Sequence, residues 1–128
     1  MANYRFVLPD CVYLPRKTKE DKKVMLNMNI YRNLHHSLNN QVKQAFEPIE
    51  TELFKAERIR ISYYVYKKSK RKFDTMNVIS VVDKFFLDWL VKHEYIPDDN
   101  CDNVCYGNIY GHNNYPEPEI IAEIEVLR

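Results

Sequence analysis

Asp74, Asn77, Lys84, Asp88, Asp98 and Asp99 lie close together in the segment KKSKRKFDTMNVISVVDKFFLDWLVKHEYIPDDNCDNV, and they are the residue types that phosphodiester hydrolysis uses. Carboxylates supply hard oxygen ligands for Mg²⁺, which polarises phosphoryl oxygens and lowers the pKa of an attacking water. A nearby lysine adds a point charge that stabilises the pentacoordinate transition state. At ~100° per residue, Lys84 and Asp88 fall within about 20° of Asn77 on a helix, with Ser80 and Asp74 flanking the same side. Spacing alone also permits a plainer reading. A polar helical stripe is usually a solvated face, and an Asp-Asp pair after proline is usually a turn.

The formal net charge is only +1, yet the charges are unevenly distributed. Basic residues concentrate in Arg16 to Lys23 and Lys67 to Lys72, while acids concentrate in Glu47 to Glu57, in Asp98 to Asp102 and near the C-terminus. That distribution gives the chain a positive side suited to phosphate backbones. A run such as Lys67, Lys68, Lys70, Arg71 and Lys72 is equally a common surface loop.

The elements that must position these residues follow from periodicity. Tyr4 to Leu8 reads as a short strand ended by Pro9, and Pro15 to Lys23 as an exposed loop. Val24 to Ile30 alternates with the period of a half-buried strand, or of an extended entry to a helix. Tyr31, Leu34, Leu38, Val42, Ala45 and Phe46 form an amphipathic helical stripe that stops at Pro48. Arg58 to Tyr66 is the most secure strand, being rich in β-branched and aromatic residues, and it delivers the chain into the basic block. Met76 to His93 is a second helix with Ile79, Val82, Phe86, Trp89 and Leu90 as its buried stripe, and Pro97 in the following turn leads to Asp98 and Asp99. Asn103 to Tyr110 is a candidate strand, Gly111 to Pro118 is turn-rich, and Ile120 to Leu127 alternates as a closing strand.

At 128 residues, with 45% hydrophobic and 13% aromatic residues, the chain is sized for one domain with one core. No apolar run approaches the ~20 residues of a membrane span. Three cysteines, Cys11, Cys101 and Cys105, with no apolar signal segment before them, suggest a reducing cytosol. Cys101, Cys105, His112 and Cys11 are a weak zinc signal, because structural zinc sites show two tight ligand pairs and only one is present. His35 and His36 read as an exposed helical face as readily as phosphate contacts. Two glycines, Gly107 and Gly111, exclude a nucleotide-binding phosphate loop.

The order of strand, basic stretch, aspartate at a helix start, asparagine, lysine and aspartate spaced by four, and an Asp-Asp pair resembles the RusA-type Holliday junction resolvases. Arg71, Lys72, Asp74, Asn77, Lys84, Asp88, Asp98 and Asp99 carry the resemblance over roughly residues 58 to 104, and the strand ending at Leu8-Pro9 looks like the family's beginning. There are two departures. Met76 stands where the family has a second aspartate immediately before the asparagine. Asn77 and Asp88 are one helical turn further apart, an insertion of four residues that rotates the helix by only ~40° and leaves Lys84 and Asp88 on the Asn77 face.

The resemblance implies a single α+β domain over residues 1–128, a mixed sheet of about four to five strands, and two main helices. It implies a magnesium-dependent endodeoxyribonuclease, with Mn²⁺ able to substitute, that resolves four-way DNA by paired symmetric nicks as a homodimer. Carried over residue by residue, Asp74 and Asp99 are metal ligands, Asp98 is a ligand or its partner, and Lys84 is the catalytic lysine. Asp88 replaces the missing carboxylate or orients Lys84. Asp83, about 120° from Asn77, is the weaker candidate, and Asp102 is a reserve ligand. Lys67, Lys68, Lys70, Arg71, Lys72 and Asn77 become DNA contacts, Arg16, Lys17, Lys19, Lys22 and Lys23 a second basic patch, and Phe73 a wedge at the crossover or a core anchor. A bacterial cytoplasm, often through a phage or prophage, is the implied setting, with no membrane and no nucleotide cofactor. Two alternatives are a DNA-binding protein without catalysis, in which Met76 marks a lost ligand, and a protein-interaction module using some of the ten tyrosines.

Overall fold

The structure is a computed structural model that describes residues 3–9, 11–14, 22–25, 42–47, 54–67, 75–112, 116 and 118–128. Alternation of apolar and polar residues builds its main sheet. β1 (Asn3–Leu8) buries Phe6 and Leu8, and β2 (Cys11–Leu14) with β3 (Lys22–Met25) forms a separate antiparallel pair. Residues 42–46 form a short helical segment, α1. β4 (Ile59–Tyr66) follows, then α2 (Thr75–Lys92), β5 (Val104–His112) and β6 (Glu119–Val126).

The main sheet is mixed, in the order β1-β6-β4-β5, with β4 parallel to β5 and the other neighbours antiparallel. The expected α+β class, with a mixed four-stranded sheet and two helices, is what the chain forms. The expected Val24 to Ile30 strand is β3 over its first two residues, and the remainder lies outside the described residues, as does most of the helix expected from Tyr31. Three differences exceed a single residue. Lys22 and Lys23 belong to β3 rather than to a loop, β2 was not anticipated at all, and Gly111 and His112 extend β5 rather than opening a turn.

Ile59, Ile61, Tyr63 and Val65 face α2 from β4, and Ile120, Ala122 and Ile124 face it from β6; all are fully buried. α2 answers with Val78, Ile79, Val82, Phe85, Phe86, Trp89 and Leu90, a stripe wide enough for a helix pressed on a sheet. Phe6 fixes β1 to this layer, edge-on to Phe86 at 5.2 Å and to Trp89 at 6.2 Å.

A Schellman turn ends α2. Tyr95 N–H donates to Leu90 O (2.9 Å) and Glu94 N–H to Val91 O (3.1 Å), with Glu94 in the left-handed region at φ 63°. The reversal buries Tyr95 against Trp89 (5.3 Å) and returns the chain along the helix toward β5. Near the middle of β5 the register with β4 shifts between Ile61 and Tyr63. There the Ser62 hydroxyl accepts the Asn108 N–H (3.0 Å), and a Cβ on Gly107 would lie 2.5 Å from Ser62 Oγ, so only glycine fits that approach without movement.

Candidate functional site

α2 places its acids on two flanks. Lys84 and Asp88 lie on the solvated stripe, their charges 3.5 Å apart as an i,i+4 pair and both about half-exposed. Such a pair contributes little to stability. The Lys84 ammonium also lies 5.1 Å from the Phe85 ring centre. Asp83, one residue earlier, turns the other way, toward the sheet. Its Oδ1 accepts the Tyr63 hydroxyl from β4 and its Oδ2 accepts the Tyr106 hydroxyl from β5.

Burial raises the Asp83 pKa above the ordinary carboxylate value, the two hydroxyls oppose that rise, and the charge of Asp99 adds to it. Burial likewise pushes both tyrosine hydroxyls up, helped by the Asp83 carboxylate beside them. Neutral phenols therefore solvate a partly buried acid, and Asp99 on the returning turn belongs to the same electrostatic group.

The turn itself consumes Asp98. Asp98 Oδ1 accepts the Asp99 N–H (2.8 Å) and Oδ2 accepts the Asn100 side-chain amide (3.3 Å), while Asn100 Oδ1 accepts the Asp102 N–H (2.9 Å). Asp98 is thus a turn-forming residue. Asp88, Asp98 and Asp99 nevertheless line one depression of about 530 Å³, together with Lys43, Glu47, Phe85, Trp89 and Lys92. Opposite the acids, Lys92 bonds Glu47 at 2.6 Å and so lowers the Glu47 pKa.

Of the anticipated site residues, Asp74, Lys68, Lys70, Arg71 and Lys72 lie outside the described residues, as do Phe73, His35, His36, Arg16, Lys17 and Lys19. Helix geometry still limits which acids act together. Thr75 stands about 20 Å along the axis from Asp88, whereas two aspartates sharing one Mg²⁺ have Cα atoms no more than about 11–12 Å apart. Side chains at the heights of Thr75 and Asp88 are therefore too far apart to share one ion. The same arithmetic leaves Asp83, about 12 Å along the axis from Thr75, within range.

Lys67 was anticipated as a DNA contact, but its side chain is only 4% exposed, and its backbone N–H donates to His112 O at 2.8 Å. It is a strand-end residue rather than a surface contact. Cys105 and His112 occupy opposite ends of β5, about 23 Å apart by strand rise, so they do not meet at a zinc ion.

Asp83 is the residue that helical-wheel reasoning undervalued. A signal was present: an acid four residues after Ile79 and three before Phe86 sits at the border of the buried stripe, where a carboxylate needs donors, and two tyrosines on adjacent strands supply them.

Among the described residues no three histidines, cysteines or acids are close enough to enclose a metal ion. Comparison with known proteins finds no family model that matches the chain and no curated protein that matches it.

Proposed function

We propose that the protein is a divalent-metal-dependent endonuclease acting on branched DNA, in the manner of the RusA-type resolvases it resembles. The observation supporting this reading is that Asp88 from the helix and Asp98 and Asp99 from the turn that follows it line one depression, with the charge of Asp99 felt at the partly buried Asp83. Separate chain segments converging acids on one place is an arrangement that hydrolysis of a phosphodiester uses. Asp74 is required to complete an Mg²⁺ or Mn²⁺ site with Asp99, because the described acids do not enclose an ion by themselves. When bound, the metal supplies Lewis acidity and an ionised water. The chain's own part would be to hold it with Asp74 and Asp99, with Asp83 held by two phenols and Lys84 supplying a positive charge on the solvated stripe of the helix. Lys68, Lys70, Arg71, Lys72 and Asn77 provide the contacts to DNA.

A second reading rests on Met76, which is half-exposed at the first turn of α2 where the resembled family has an aspartate. Under it the chain binds branched DNA without cutting it. One experiment separates the two. A labelled synthetic four-way junction and a matched linear duplex are incubated with the protein in Mg²⁺ and in EDTA and run on denaturing gels. Symmetric nicks in the junction alone, dependent on Mg²⁺ and lost in Asp74→Asn and Asp99→Asn with junction binding retained, are the expected result. Binding without nicks establishes the second reading, and no binding of junction or single strands at low salt overturns both.

A further inference from the structure

One extra residue in β5 decides which side chains stand on the side of the sheet away from α2. Ile61 pairs with Tyr106, but past the irregularity Tyr63 pairs with Ile109, so β5 has gained one residue on β4. In unbroken register Tyr110 would stand opposite Val65, which is fully buried on the α2 side. The shift turns Tyr110 and His112 over, opposite Tyr64 and Tyr66. Gly107 and Asn108 absorb the extra residue, with the Asn108 N–H bonded to Ser62 Oγ at 3.0 Å. Bulges commonly re-aim side chains in this way.

The re-aimed rings form a ladder. Tyr64 stacks on Tyr110 at 5.5 Å with 13° between planes, Tyr66 on His112 at 5.2 Å with 11°, and Tyr110 on His112 at 6.3 Å with 25°. Tyr110 is 48% exposed and His112 is exposed, so their π surface reaches solvent. Near-parallel rings on a four-stranded sheet suit flat, unpaired bases, two or three of which stack on such aromatics in nucleic-acid-binding sheets. Charge places the phosphates. By register Glu119 and Glu123 of β6 share this side with the ladder, whereas Glu125 is matched by Arg60 at 3.2 Å. Phosphates are therefore kept off the β6 side. Past Tyr66 the sequence continues as Lys67, Lys68, Ser69, Lys70, Arg71 and Lys72, the cations that a nucleic-acid backbone needs.

We infer that Tyr64, Tyr66, Tyr110 and His112 form a stacking platform for unpaired bases of single-stranded DNA. The bases lie on Tyr110 and His112, the two exposed rings, and Tyr64 and Tyr66 back them from β4. The choice of occupant rests on the branched-DNA reading, because a branch point is where duplex strands part and bases lose their partners. Aromatic surfaces also take proline-rich peptides, but the basic run favours a polyanion. Tyr106 reaches Asp83 while Tyr110 points to the other side of the sheet, so the platform grips the strand and takes no part in cutting it.

Fluorescence anisotropy of a labelled oligothymidylate, about a dozen nucleotides long, tests the platform at low salt in EDTA. Wild type should bind it, and Tyr110→Leu should weaken binding roughly tenfold, the loss expected for one stacked base. His112→Ala, at the exposed strand end, should act the same way and serves if Tyr110→Leu does not fold. Tyr110→Phe keeps the ring and should bind as wild type does, and so should Val7→Ala on the same side of β1. The weakened variants should keep the wild-type salt dependence, since no phosphate contact is removed, and an abasic oligomer of the same length should bind them and wild type equally. A wild-type chain that binds a proline-rich peptide but not oligothymidylate overturns the platform, as do Tyr110→Leu and His112→Ala chains that bind oligothymidylate as tightly as wild type. Because the measurement needs no metal, the two readings fail separately. Junction nicks without oligothymidylate binding strike the platform alone, and ring-dependent binding without nicks strikes the nuclease alone.

Discussion

Replacing Tyr63 by phenylalanine tests whether the phenol–carboxylate group at the middle of α2 is a stabilising element of the fold. Tyr63 is fully buried and its hydroxyl donates to Asp83 Oδ1, while the Tyr106 hydroxyl serves Oδ2. Losing the buried donor leaves a partly buried carboxylate with one phenol instead of two. Hydrogen bonds to charged groups contribute about 1.5–3 kcal/mol, so the expected loss near pH 7.5 is about 2 kcal/mol. For a domain of this size that corresponds to a fall of roughly 6–10 °C in Tm.

The loss should depend on pH with a definite sign. Burial already holds the folded Asp83 pKa above its ordinary 3.8. Removing a hydroxyl that favours the ionised form raises it further. A group with a raised folded pKa contributes most when protonated, below its unfolded value, and loses that contribution as pH rises through the folded value. The variant loses more over that rise, so its deficit should shrink toward about 1 kcal/mol at pH 4. Urea denaturation at pH 4 and 7.5, at matched ionic strength, measures both. Tyr106→Phe is the control: Tyr106 is 48% exposed, its loss returns Asp83 Oδ2 to water, and the cost should stay under about 1 kcal/mol. A Tyr63→Phe chain as stable as wild type at pH 7.5, or equally weakened at both pH values, would refute the reasoning.

Two further substitutions probe the backbone around the site. Glu94→Gly should raise stability by about 0.5–1 kcal/mol in thermal melts, because Glu94 holds the left-handed position of the turn that glycine adopts without strain. Gly107→Ala should cost about 1–3 kcal/mol, since its Cβ would meet Ser62 Oγ at 2.5 Å, and adding Ser62→Ala should cost less than the sum of the two single changes.

The elements with strong periodicity were legible without the structure. β4 alternates Ile59, Ile61, Tyr63 and Val65 against polar neighbours, and α2 repeats its apolar residues at three and four, so each was placed within a residue. β2 and β3 were harder because CVYL and KKVM are too short to display a period, and the lysines of β3 look like loop. His112 reads as turn from its neighbours Gly111 and Asn113, yet pairing with Tyr66 makes it strand, a tertiary effect that local propensity does not carry. Strand order was beyond the sequence for the same reason: nothing in β6 names β4 as its neighbour.

The site was half legible, and the reason is geometric. A helical wheel groups residues by azimuth, and by azimuth Asn77, Lys84 and Asp88 belong together. Residues that share a ligand must agree in height along the axis as well, and about 20 Å of height separates the start of α2 from Asp88. Asp83 fails the azimuth test but passes the height test. It also faces the sheet, where desolvation and two phenols give its charge the kind of perturbed environment that functional acids have. Asp88, half-exposed and paired with Lys84, has no such environment. The substitution that distinguishes these roles is therefore Asp88→Asn, which should leave junction cleavage within a few-fold of wild type while Asp99→Asn abolishes it. Equal loss in both would return Asp88 to the reacting group and put the weight on azimuth after all.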